Sequence, residues 1–86
     1  MTRYERCVEF ECAQEIYTQL RALLMARIYA EEGQALPNQL KIAELMQEQA
    51  ALYQEQRDLD AHDEVAVARA INVRGSELKA LQQKAA

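Results

Sequence analysis

A chain of 86 residues that is 50% hydrophobic and 28% charged, with a net charge of −4, is the size of one small domain, so residues 1–86 read as a single unit rather than a multi-domain machine. Such a chain buries only about 60–65% of its unfolded surface, which excludes a large active-site cleft and lets a partner supply part of the stability. With 14 acidic against 10 basic residues it has no basic field for phosphate contacts, and nucleic acid is not an expected partner.

Ala, Glu, Leu, Arg and Lys make up more than half of the chain, against two Gly and one Pro, and this bias towards helix formers predicts an all-α fold. No apolar run approaches the ~20 residues that span a bilayer. The start Met1-Thr2-Arg3-Tyr4-Glu5 lacks the apolar core of a signal peptide. The expected setting is the cytoplasm, with no membrane partner.

Thr2 and Glu5 form a capping box, each side chain reaching a backbone N–H left open at a helix start. The first helix is therefore expected over about 3–32, with Val8, Cys12, Ala13, Ile16, Tyr17, Leu20, Leu23, Leu24 and Ile28 recurring at three- and four-residue spacing and Gly33 as the stop. Val8-Glu9-Phe10-Glu11-Cys12 alternates as a strand would, but no second strand exists to pair with it. On a helix this alternation spreads Val8, Phe10 and Cys12 round the cylinder among Glu5, Glu9 and Glu11, more apolar surface than one core stripe absorbs. Cys7 and Cys12 point ~140° apart on a helix, so they cannot pair within it, and buried free thiols are expected.

Gln34-Ala35-Leu36-Pro37-Asn38 is a short connector, and short connectors make antiparallel neighbours. Pro37 suits the first turn of a second helix over about 37–58, whose stripe runs Ile42, Leu45, Met46, Gln49, Leu52, Tyr53, Gln56 and Leu59. Asp60 is the expected cap of a third helix over about 61–84, with Asp63 and Glu64 in its first turn and Val67, Ile71, Leu78 and Leu81 as its stripe. Gly75-Ser76 is expected to kink or split that helix. The architecture predicted is a small antiparallel three-helix bundle with a long first helix.

The catalytic inventory is short. Asp60, His62, Asp63 and Glu64 offer nitrogen and oxygen ligands, but four groups in five consecutive residues at a helix start cannot converge on one ion, and capping accounts for them. The single histidine is far in sequence from both cysteines, and there is no Gly-rich phosphate loop or Gly-flanked serine. No enzyme, metal or cofactor is expected. The front of the first helix is the candidate interaction surface.

That front, Tyr4-Glu5-Arg6-Cys7-Val8-Glu9-Phe10-Glu11, resembles the start of epsilon-type antitoxins of epsilon/zeta toxin–antitoxin systems, and Asn38-Gln39-Leu40-Lys41-Ile42-Ala43 resembles a stretch in the middle of that family. No aromatic follows Tyr53, where the family has an aromatic-rich last third. The resemblance implies a non-enzymatic inhibitor of a zeta-type toxin, a P-loop kinase acting on UDP-N-acetylglucosamine, whose nucleotide site the antitoxin's N-terminal helix occludes. On that basis Tyr4, Glu5, Val8, Glu9, Phe10, Glu11 and Cys12 are the expected toxin-binding residues. The Ser or Thr that precedes Glu-Gly in the inhibitory helix of Fic antitoxins is replaced by Ile28 before Glu32-Gly33. The alternative is a small helical chaperone or anti-activator, of a secretion or phage system, that binds another protein without inhibiting a kinase.

Overall fold

The Thr2 hydroxyl accepts the Glu5 N–H at 3.1 Å while the Glu5 carboxylate accepts the Thr2 N–H at 3.2 Å, so the capping box forms. In the computed structural model, which describes residues 2–85, it opens α1, Arg3–Glu32. At 1.5 Å per residue α1 is about 45 Å long and spans most of the 53 Å long axis of the molecule. It ends at Gly33 in an ordinary right-handed conformation. Glu31 then ties the connector back, accepting the Asn38 N–H at 3.1 Å and pairing with Lys41 at 3.6 Å.

The second helix, α2, runs from Gln39 to Asp58, two residues later than expected. Asn38 is the cap, its side chain accepting the Lys41 N–H at 3.1 Å, which leaves Pro37 outside the helix. The third arm also starts late. Asp63, not Asp60, caps α3 (Glu64–Arg69) by accepting the Ala66 N–H at 3.0 Å, while Asp60 closes the preceding turn by accepting the His62 N–H at 2.9 Å. A π-helical turn, Ala70–Arg74, continues α3 into α4, Gly75–Ala85. The expected irregularity therefore precedes Gly75, which itself has helical φ and ψ. The wider turn lets two successive residues, Ala70 and Ile71, both face the core.

The fold is all-α, with three helical arms. α2 lies antiparallel to α1, with Gln14 beside Gln56 and Met25 beside Gln49. The third arm runs parallel to α1, with Arg6 beside Glu64 and Gln19 beside Gln82. Both arms pack on α1, and their backbones stay apart: among the described residues no Cα of α2 comes within 8 Å of α3, the π turn or α4. The four largest fully buried side chains, Tyr17, Leu20, Leu24 and Ile28, all belong to α1. Around them pack Ile42, Leu45 and Leu52 of α2 and Val67, Ala70 and Leu78 of the third arm. The molecule is correspondingly open, with an accessible surface of 6139 Å² against about 5,200 Å² for a folded chain of 9.9 kDa.

Several expected core positions lie outside it. Cys7 and Cys12 are exposed thiols rather than buried ones, because the buried line Ala13, Tyr17, Leu20, Leu24 and Ile28 turns both cysteines and Val8 away. On α2, Met46 and Tyr53 are exposed, with Tyr53 serving as a platform for the Arg21 guanidinium 4.5 Å from its ring centre.

Truncating Leu24 to Ala should cost about 2–5 kcal/mol of stability, whereas Met46→Ala should stay within about 0.5 kcal/mol; urea melts followed by circular dichroism compare them. Gly75→Ala should stabilise by about 0.5–1 kcal/mol. A Cβ at Gly75 meets Ile16 Cδ1 at 3.5 Å, an ordinary contact.

Candidate functional site

At 100° per residue, Tyr4, Val8, Glu11 and Glu15 fall on one side of α1, turned away from the buried line that begins at Ala13. All four are exposed, Tyr4 by 78% and Val8 by 47%. Among the described residues nothing covers this strip, an aromatic and an aliphatic side chain interleaved with carboxylates. Tyr4, Glu5, Val8 and Glu9 line a shallow depression of about 250 Å³ on its flank.

The other expected residues divide between two tasks. Glu5 is held by the capping box, so its carboxylate is already a hydrogen-bond acceptor at the helix start. Glu9 is half-buried, while Glu11 and Cys12 are exposed. Phe10 is half-buried and packs against the core. It faces the adjoining flank, where Arg3, Arg6 and Cys7, with Glu11 at the border of the strip, line an open hollow of about 360 Å³ together with Ala61 and His62. The front of α1 thus has two chemistries, an acidic and apolar outer strip and an arginine-lined flank that Phe10 ties to the turn before α3. Glu15, absent from the expected set, completes the outer strip, and its spacing from Tyr4, Val8 and Glu11 (i, i+4, i+7, i+11) is the signal that identifies it.

A second polar constellation lies between the arms, which sequence spacing does not reveal because its members come from three separate segments. Tyr17 donates its O–H to Glu55 Oε1 at 2.7 Å. Arg74, at the end of the π turn, donates from Nε to Glu55 Oε1 at 3.0 Å and from Nη2 to Oε2 at 2.7 Å, the bidentate fork-to-carboxylate geometry. Its remaining terminal nitrogen donates to Glu77 at 2.7 Å. The hydrogen bonds from Arg74 hold the Glu55 carboxyl below its ordinary range, and both glutamates keep Arg74 more firmly protonated than usual. Burial, then the bond to Glu55, pushes the Tyr17 phenol up to about 12. A phenol held in its neutral form as a donor is a structural tether rather than a base.

The signs of these shifts set the response to pH. Glu55 ionises more readily in the folded chain, so its contribution is complete above the ordinary glutamate range and is lost as pH falls through its folded value. Tyr17 does the reverse, its contribution being complete below the ordinary 10.0 and lost as pH rises towards about 12. Urea melts across pH should therefore show stability falling on both limbs, and Glu55→Gln should flatten the acid limb. In the same assay Phe10→Ala should lower the melting midpoint while Tyr4→Ala leaves it nearly unchanged. Compared with protein-family models, curated proteins and solved structures, the chain matches none.

Proposed function

We propose that this protein is an inhibitor of the epsilon-antitoxin type, which neutralises a zeta-type P-loop kinase of UDP-N-acetylglucosamine by covering its nucleotide site with the N-terminal part of α1. The observation that carries the reading is the outward strip Tyr4, Val8, Glu11 and Glu15, apolar and acidic side chains on a capped helix that the protein's own core leaves in solvent.

The chemistry of the two surfaces is complementary. A P-loop cradles phosphates with backbone N–H groups and a lysine, and so attracts anions. Carboxylates projected from a rigid helix compete for those donors, with Glu9 and Glu11 nearest the exposed apolar pair. Tyr4 and Val8 supply buried apolar area on docking, and a helix laid into a groove binds through residues one turn apart. Phe10 contributes indirectly, by fixing the front of α1 to the rest of the fold. Occlusion of this kind needs no catalytic residue in the inhibitor. The excess accessible surface of the free chain is also what a protein completed by a partner exhibits.

Titration of a zeta-type kinase with the purified protein, following phosphorylation of UDP-N-acetylglucosamine, tests the proposal directly. The wild-type chain should abolish turnover and co-expression should rescue cells from the toxin. Tyr4→Ala should weaken the complex by roughly 30- to 1000-fold, equivalent to about 2–4 kcal/mol, with an unchanged melt. Absence of a complex at micromolar concentrations, with the kinase fully active, refutes it. Binding to another protein without kinase inhibition would instead favour a small helical chaperone.

A further inference from the structure

The C-terminal half of α1 and the end of α4 form an open groove of about 350 Å³, lined by Leu23, Ala26, Ala30 and Leu81 and bordered by Arg27 and Lys84. The two leucines are half-buried and the two alanines exposed. Arg27 and Lys84 are exposed, and among the described residues neither has a carboxylate within ion-pair distance. Glu31, one turn beyond Arg27, is already engaged by Lys41 and by the Asn38 N–H. No carboxylate lines the groove, so its charge is positive and uncompensated.

The front of the same helix has the opposite charge. Glu9 is half-buried, and among the described residues no cation lies within ion-pair distance of it. Arg27 follows Glu9 by about five complete turns, so both side chains leave α1 in the same direction. Ala26 stands in that relation to Val8, and Tyr29 lies within about 20° of Tyr4. Both tyrosines are exposed, by 78% and 66% for Tyr4 and Tyr29. The midpoints of Glu9 and Arg27, of Val8 and Ala26, and of Tyr4 and Tyr29 all fall at about residue 17, the middle of Arg3–Glu32. Complementary residues placed symmetrically about one point are what a two-fold contact between identical helices requires.

We propose that the protein forms a two-fold antiparallel homodimer along α1, in which the groove beside Arg27 and Lys84 receives the front of α1 of a second copy, with Val8 seated over Ala26 and Glu9 paired with Arg27 in both directions. Charge and register together name the occupant. The groove calls for an apolar helix face with carboxylates, and the front of α1 supplies one at the register that overlaps the two helices along their whole length. Helices of about 45 Å in contact over about 10 Å of width bury about 450 Å² on each copy, near the lower limit of specific interfaces, so a dimer of micromolar affinity is expected. One pair of like charges opposes it: the two Glu15 carboxylates flank the axis about 8 Å apart along the helices. The dimer covers Tyr4 and Val8, which are assigned above to kinase inhibition, so the two complexes are alternatives. The groove and the register carry the dimer, which does not rest on that assignment.

Sedimentation of the intact chain tests the proposal, under reducing conditions that keep the exposed Cys7 and Cys12 from cross-linking copies. Dimers should form between about 10 and 100 μM. Glu9→Arg and Arg27→Glu should each weaken them by about tenfold or more, because in a two-fold dimer each substitution acts at two contacts. Mixing the two variants in equal amounts should restore dimers of wild-type affinity, since every such contact then joins an arginine to a glutamate, an outcome that a misfolded variant cannot produce. Glu15→Gln should tighten the dimer by removing the repulsion at the axis, and loosening by this variant overturns the register. A monomer at about 100 μM overturns the proposal and leaves the groove to an unlike partner. Dimers indifferent to both charge reversals overturn it too, as does a mixture no tighter than its components. Assemblies that grow beyond two copies overturn the two-fold arrangement in favour of open chains. No kinase enters the measurement, so its outcome is separate from that of the inhibition assay.

Discussion

Every arm of this protein is held by α1, whose Tyr17, Leu20, Leu24 and Ile28 are the most deeply buried large side chains in the fold. In a closed three-helix bundle each helix contacts the other two, and the loss of one contact is shared. Here α2 and the third arm meet only through α1 and through side chains that reach across the gap. The consequence is a core that is continuous along one helix and thin across the others, in keeping with the surface left exposed by so short a chain.

The gap between the arms is spanned by charge and hydrogen bonds where a larger core would use hydrocarbon. Glu55 accepts from Tyr17 of α1 and from Arg74 of the π turn at once, so a single carboxylate joins all three arms. Partial exposure of the pair limits what it adds to stability, but the bidentate geometry specifies how the third arm is aligned against α2. The glutamines act in the same way with less force. Gln14 and Gln56 exchange hydrogen bonds across the α1–α2 seam, and Gln19 and Gln82 meet across the seam to α4. These four glutamines, which contribute uncharged polarity to the composition, are therefore interhelical ties.

The open architecture also decides what is available for recognition. Of the apolar side chains at the front of α1, the fold takes Phe10 and leaves Tyr4 and Val8. The capped start of α1 therefore carries an acidic and apolar outer strip that the fold leaves in solvent. On the other side, a cleft remains between the arms, crossed by the Glu55–Arg74 pair.

Helical class, the number of arms, the capping box at Thr2 and Glu5 and the full extent of α1 were determined by the sequence alone, because they rest on local hydrogen bonds and on a periodicity that persists over many turns. Helix starts within the connectors were less legible. Two competing caps stand within three residues, Asp60 and Asp63, and local sequence does not say which of them opens the helix and which closes the turn before it. Periodicity on α1 admitted Val8 and Cys12 to the stripe and left Phe10 out of it, and only the positions of the neighbouring arms placed Phe10 against the core and the other two in solvent. The Glu55 hub and the cleft were decided by tertiary structure for the same reason: each joins segments distant in the chain, and no local spacing records which side chains will meet once both arms have docked on α1.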